Sequence, residues 1–189
     1  MRLSVSAALV ATLLTSAGEP AASIAQAKRA SRACVGANLL PTSANAATVS
    51  AATLCLINRV RAAYHLRPLR PNRELQAVAV AQTHNMVRRD YFADNPPSGQ
   101  TLAARIAASR YLAHAARFST AQNIGWGTVR EASPARMLEA WMASPPHRQV
   151  ILTPAYRDAG VGVVPAVPSV VGGGMGGATF AVEFGTRAR

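Results

Sequence analysis

The residues able to do chemistry in this chain are few and mostly far apart. His147 stands in Trp-Met-Ala-Ser-Pro-Pro-His-Arg-Gln-Val-Ile-Leu, residues 141–152, three positions after Ser144 and directly after two prolines. An imidazole can serve as base, proton shuttle or metal ligand, and a hydroxyl within its reach is a candidate nucleophile. A second imidazole, His84, shares a helical stripe with Ala77, Val80, Ala81 and Val87, whose small side chains leave room for a cavity beside the ring. Cys34 and Cys55 are the only cysteines. In an oxidising compartment such a pair forms a bridge more readily than a metal site. His65 and His114 read as surface residues at helix ends.

These groups need elements to hold them. Ser133-Pro134 reads as an N-cap and first helical residue, followed by Met137, Leu138, Trp141 and Met142 on one helical face. Pro145 and Pro146 remove two backbone donors and stop that helix, so His147 is presented by rigid backbone. An earlier helix carries Leu54, Ile57, Val60 and Tyr64 inward and turns Arg59 and Arg61 to solvent, until Pro68 and Pro71 end it. Asn72 caps the next helix, which has Leu75, Val78, Ala79 and Met86 on one side and the His84 stripe on the other; apolar on both sides, it is expected between two layers. Thr101 to Ser109 reads as a short helix with Leu102 and Ile106 inward. The segment Gln122-Asn-Ile-Gly-Trp-Gly127 reads as extended or turn backbone that can approach a neighbour closely. Residues 160–164 and 178–185 read as strands, joined through a flexible glycine-rich loop at 172–177. Helices first and an antiparallel hairpin last argue for an α+β layered fold.

Length and composition set the limits. The 189 residues suffice for one core, and 20 Lys plus Arg against 8 Asp plus Glu give a net charge of +12. That balance favours anionic surroundings, but Lys28 is the only lysine and no basic run exceeds two residues, so no concentrated patch is evident. Residues 1–27 read as an export signal, with Arg2, an apolar core from Leu3 to Leu14 and the small-x-small site Ala25-Gln26-Ala27. Residues 28–50 then form an N-terminal segment stapled by a Cys34–Cys55 disulfide to a domain spanning 51–189. No later apolar run reaches membrane-spanning length. The expected localisation is secreted, or extracellular.

Read together, Leu56-Ile57-Asn58-Arg59-x-Arg61, Leu69-x-x-Asn72-x-x-Leu75, His84-Asn85-Met86, Tyr91-Phe92, Gln122-Asn123-Ile124, Trp141-x-x-Ser144-Pro145-x-His147-Arg148, Ile151-Leu152, Gly160-Val161-Gly162 and Phe184-Gly185 resemble a bacterial member of the CAP superfamily. This is the group of cysteine-rich secretory, antigen 5 and pathogenesis-related proteins. The resemblance implies a three-layer α-β-α sandwich with a small antiparallel sheet. It further implies a central cavity bounded by His84, Gln122, Ser144 and His147, with His84 and His147 at metal-ligand positions and Gln122 and Ser144 where the family carries acids. Two neutral imidazoles, an amide and a hydroxyl suit a divalent ion poorly, so the cofactor expected is at most a weakly bound metal such as Zn²⁺. Asp94 stands where relatives carry a histidine and could restore one acid if it approaches the pocket.

The reading of function is a secreted, non-enzymatic binding module of the cell envelope or extracellular space. Its partner would be a small-molecule or lipid ligand, or an anionic envelope polymer. The alternative is a hydrolase of envelope material, metal-dependent or with a histidine serving as base for Ser144. No Gly-x-Ser-x-Gly elbow supports the second. Nucleic acid is not an expected partner, since the sequence has no aromatic platform, recognition-helix motif or basic cluster.

Overall fold

The first helix, α1 (Ala46–Ala63), buries Val49, Ala52, Thr53, Leu56, Ile57 and Val60, a stripe that recurs every three to four residues along one face. The structure, a computed structural model, describes residues 34–188; the expected export signal lies outside the described residues. Cys34 and Cys55 are bonded, which fastens the segment ahead of α1 to its middle. The helix begins at Ala46, so the tethered segment and the domain overlap by one helical turn.

A two-residue strand β1 (Arg70–Pro71) leads into α2 (Arg73–Arg88), whose N-cap Asn72 accepts from the Leu75 amide. The short helix α3 (Leu102–Ala108), capped by Thr101, comes next. After it run β2 (Arg117–Thr128), α4 (Pro134–Ala143), α5 (Pro145–Leu152), β3 (Asp158–Val164), a one-turn helix α6 (Ser169–Gly172) and β4 (Gly177–Ala188). The sheet order is β1-β3-β4-β2, antiparallel except for the β1–β3 pair. Helices cover both faces, giving the expected α-β-α sandwich. No helix among the described residues is long and apolar enough to cross a membrane.

The two faces differ. Val161, Val163, Phe180, Val182 and Phe184 point into one continuous core with Leu56, Leu138, Trp141 and Ile151 from α1, α4 and α5. Alternation along the strands sends Gly160, Gly162, Ala181 and Glu183 the other way, toward α2 and α3. There α2 rests directly on backbone: a Cβ on Gly160 would lie 2.0 Å from the Gln76 nitrogen, and one on Gly162 2.3 Å from the Ala79 carbonyl carbon. The apolar packing of this layer comes in two separate clusters. One holds Ala79, Met86, Tyr91, Ile124 and Ala181, the other Leu75, Val78, Ile106 and Tyr111.

Several expectations are corrected. Arg61 is not turned to solvent: it is fully buried and donates to the carbonyls of Arg67, Ile151, Thr153 and Tyr156. Burial lowers its pKa, and Arg157 lowers it further. The α2 helix is not buried on two sides, because Ala77, Ala81, His84 and Arg88 form an exposed ridge. Alanines are compatible with either environment, and here they face water. Pro145 and Pro146 end α4 and also open α5, where a missing N–H costs nothing in the first turn. The glycine-rich loop begins with one helical turn that ends at Gly173 in the left-handed conformation (φ 56°).

Candidate functional site

Ser144 is the hinge between α4 and α5, closing one helix and opening the next. Its hydroxyl does not cap either backbone end; Oγ lies 2.8 Å from Nδ1 of His147, one turn on. Both side chains are half-buried. Burial lowers the pKa of His147 from its ordinary value and the Asp94 carboxylate partly offsets this, so the ring is neutral at neutral pH. The position of this turn is fixed twice against the edge strand. Asn123 Nδ2 donates to the His147 carbonyl at 3.0 Å, and the Trp141 indole N–H donates to the Ile124 carbonyl at 2.9 Å.

Gln122 precedes Asn123 on β2, so its side chain lies on the opposite face of the sheet, toward α2 and α3. Directly across the ladder is Glu183 of β4. Arg105, from α3, reaches Gln122: its Nη2 donates to Gln122 Oε1 at 2.6 Å and to the Asp94 carbonyl at 3.0 Å, and its Nη1 to the Gln100 carbonyl at 3.0 Å. Gln82 of α2 donates to the carbonyls of Ala93 and Asp94. The polar group of Gln82, Arg105, Gln122 and Glu183 belongs to neither apolar cluster of this layer.

Five atoms of this group are buried without a hydrogen-bond partner: Gln82 Oε1, Arg105 Nε, Gln122 Nε2 and both carboxyl oxygens of Glu183. Buried polar atoms are nearly always paired, and leaving one unpaired costs about 1–3 kcal/mol, so five in one place are a costly feature. Glu183 is fully buried. Desolvation dominates its titration, Arg105 lowers the pKa, Asp94 raises it, and the result is pushed up to about 8. The carboxyl is thus mostly neutral at pH 7.

Of the four residues expected around a cavity, Ser144 and His147 touch, while Gln122 sits in the polar group on the other face of β2; Asp94 acts electrostatically on both His147 and Glu183. His84 lies on the exposed ridge of α2, and no hydrogen bond or ion pair joins it to the other three among the described residues. Its helical phase is set by Gln82, Thr83 and Met86, which face the sheet. Sequence reasoning missed Arg105, Gln82 and Glu183. Glu183 could have been found: it is an ionisable residue on the inward alternation of a strand that is otherwise apolar. Arg105 carries no comparable signal. Asp94 does influence the site, through its charge.

The donor set does not suit a divalent cation. Among the described residues no three His, Cys, Asp or Glu side chains come together as a metal-holding group. The cluster already holds a guanidinium, bonded to Gln122 and acting on Glu183, and a second positive charge there would be repelled.

Comparison with solved structures returns the same fold. An extracellular protein containing an SCP domain from Bacillus anthracis matches with TM-score 0.58 at 20% identity, over 76% of this chain and 43% of that one. An outer surface protein of Borrelia burgdorferi matches with TM-score 0.57 at 19% identity, over 71% of this chain and 90% of that one. A cysteine-rich secretory protein of Staphylococcus aureus matches with TM-score 0.54 at 17% identity, over 76% of this chain and 40% of that one. The chain therefore spans less than half the length of the first and third. No match is found among the curated proteins compared. The cysteine-rich secretory protein family, CAP, matches residues 54–169, well over half of the chain. On that match, and with the sandwich fold in place, the chain belongs to the CAP family.

Proposed function

We propose that this protein is a secreted, non-enzymatic binding module whose ligand site is the polar group formed by Gln82, Arg105, Gln122 and Glu183, with Asp94 coupling it electrostatically to His147. The observation that carries the reading is the concentration of unpartnered buried polar atoms there. Such atoms are stabilised when a ligand supplies the missing partners. A cell-envelope or extracellular setting is supported by the disulfide and by the solved relatives, one described as extracellular and one as an outer surface protein. Surface charge supports an anionic polymer as the material that recruits it. Among the described residues the only ion pairs within 4.0 Å belong to Arg136, so the other exposed arginines keep their charge for a partner.

The test is co-sedimentation of the full chain with washed bacterial envelope fragments. Binding that weakens with salt and falls in an Arg105→Ala, Gln122→Ala double variant is expected. Binding unchanged by the double variant would remove the polar group from the function.

A second reading rests on one distance, the 2.8 Å between Ser144 Oγ and His147 Nδ1. A neutral imidazole so placed can accept the hydroxyl proton, which is the first requirement of a serine hydrolase. No carboxylate hydrogen-bonds the other ring nitrogen among the described residues, so the orienting third group is missing. Labelling of wild-type protein, but not of Ser144→Ala, by a fluorophosphonate probe would establish this reading over the first.

A further inference from the structure

We infer that the cleft between the turn after Leu112 and the end of β4 binds the phosphate groups of an extracellular polyol-phosphate polymer, one group held between His114 and Arg187. The inference rests on the anionic-polymer part of the reading above and gives that polymer a place. The cleft has a volume of about 200 Å³ and is lined by Ala113, His114, Ala115, Arg187 and Ala188. It contains no residue of the buried polar group.

Arg187 differs from an ordinary surface arginine because it is held. Its guanidinium lies 4.6 Å from the centre of the Tyr111 ring, and its Nη1 donates to the Tyr111 carbonyl. Tyr111 is itself anchored: it is fully buried, and its hydroxyl donates to Asp158 at 3.0 Å. Its ring fills the space over Gly185, where a Cβ would lie 2.5 Å from Oη. A long side chain is thus positioned before any ligand arrives, which removes much of the rotamer entropy that binding would otherwise cost. A guanidinium carries more donors than one carbonyl uses, and they match phosphate oxygens. His114 lines the same cleft from a left-handed backbone position (φ 63°) and adds a ring nitrogen.

The surface beside the cleft adds charge of the same sign. The Arg110 carbonyl accepts the Ala113 amide at 3.1 Å, and Arg117 is the cross-strand partner of Ala188. An exposed arginine is therefore tied to each side of the lining. Among the described residues no carboxylate lies within 4.0 Å of Arg110, Arg117 or Arg187 as an ion pair. Charge on both sides exceeds what one small ion needs and suits a chain of anions laid across the opening. Phosphate is favoured over carboxylate because the donors come from two separate segments, and the oxygens of a phosphodiester project out of one plane. A bilayer would need a broad apolar contact. Phe118, cross-strand from Arg187 and 54% exposed, is the large apolar side chain exposed here, while Trp126, Val129, Val170 and Met175 lie at or beyond the other end of β2 and β4. One ring is also too few for the stacked bases of a nucleic acid, but it can cover the carbon segment of a polyol.

The experiment is isothermal titration of the full chain with poly(glycerol phosphate), polygalacturonate, oligodeoxythymidylate, inorganic phosphate, and vesicles of phosphatidylglycerol in phosphatidylcholine. Poly(glycerol phosphate) should bind most tightly and weaken with salt, and inorganic phosphate should bind at least about tenfold more weakly because it cannot reach both flanking arginines. Arg187→Gln and His114→Gly, the second compatible with the left-handed backbone, should each weaken polymer binding about tenfold. Arg187→Lys, which keeps the charge without the fork, should weaken it at least about threefold. Arg130→Gln removes the same charge beyond the far end of β2 and should change binding less than about twofold. Denaturation midpoints establish which variants are folded, and His114→Gly decides alone if the Arg187 variants are not. Equal losses in Arg130→Gln and Arg187→Gln would replace the site by net charge. Tighter binding of polygalacturonate would overturn the phosphate assignment, tighter binding of the oligonucleotide or the vesicles would overturn the polyol polymer, and no binding of the polymer would overturn the whole inference. Envelope co-sedimentation that depends on Arg105 and Gln122 without polymer binding would remove this site and leave the binding-module reading standing. Polymer binding that depends on Arg187, with no envelope dependence on Arg105 and Gln122, would do the reverse.

Discussion

Glu183 offers the most quantitative handle on the site. In the folded chain its pKa is raised from 4.5 to about 8 by desolvation, opposed by Arg105 and reinforced by Asp94. The folded state therefore holds a proton that the unfolded state releases throughout that interval. Stability falls as pH rises wherever the folded state binds more protons. Glu183 thus imposes no penalty below pH 4.5, an increasing one from there to about 8, and a constant one above. At about 1.4 kcal/mol per unit the full loss is on the order of 5 kcal/mol. Urea denaturation of wild type and Glu183→Gln should be compared between pH 4.5 and 9, so that titrations common to both chains cancel. The two should have similar stability at the acid end, and the variant should gain steadily on the wild type toward the alkaline end. Asp94→Asn removes a like charge and should shift the upper edge of the window to lower pH. A wild-type-to-variant difference that stays constant within about 0.5 kcal/mol across the range would refute the buried-acid argument.

Other outcomes follow from the packing. Trp141→Ala removes a side chain that is 2% exposed and frees the Ile124 carbonyl, so the unfolding free energy measured by chemical denaturation should drop by about 3–5 kcal/mol. Arg61→Met leaves the carbonyls of Arg67, Ile151, Thr153 and Tyr156 without their donor and should cost about 3 kcal/mol or more; Lys should not rescue it, because its single ammonium cannot reproduce the fork. Breaking the Cys34–Cys55 bond, which closes a separation of 21 residues, should lower stability by about 3 kcal/mol in reductant. Gly160→Ala should destabilise the chain and alter amide exchange in α2, since the new methyl meets the Gln76 backbone.

The sandwich was legible because its elements carry strong local signals: prolines and caps bound the helices, and valines alternate in β3. The Ser144–His147 turn was legible for the same reason, since two prolines fix where His147 must emerge. Environment was harder to read. Arg61 looked like a solvent residue, yet its four partners come from residues 67 to 156, and no local pattern records carbonyls so far along the chain. His84 was misplaced because alanine marks neither face of a helix. The polar group escaped notice because it is assembled from α2, α3, β2 and β4, and its meaning lies in bonds that are not made.

The direct seating of α2 on Gly160 and Gly162 has a consequence for how this domain can diversify. At these two positions no side chain separates helix from sheet and none can be added, so α2, with Gln82, is held at a fixed height over this part of the sheet. The short helix α3 is different: it has seven residues and joins the polar group through the guanidinium of Arg105. New specificities should therefore arise by changing the length and sequence of the stretch from Asp94 to Arg105, and randomised libraries aimed at ligand choice belong there.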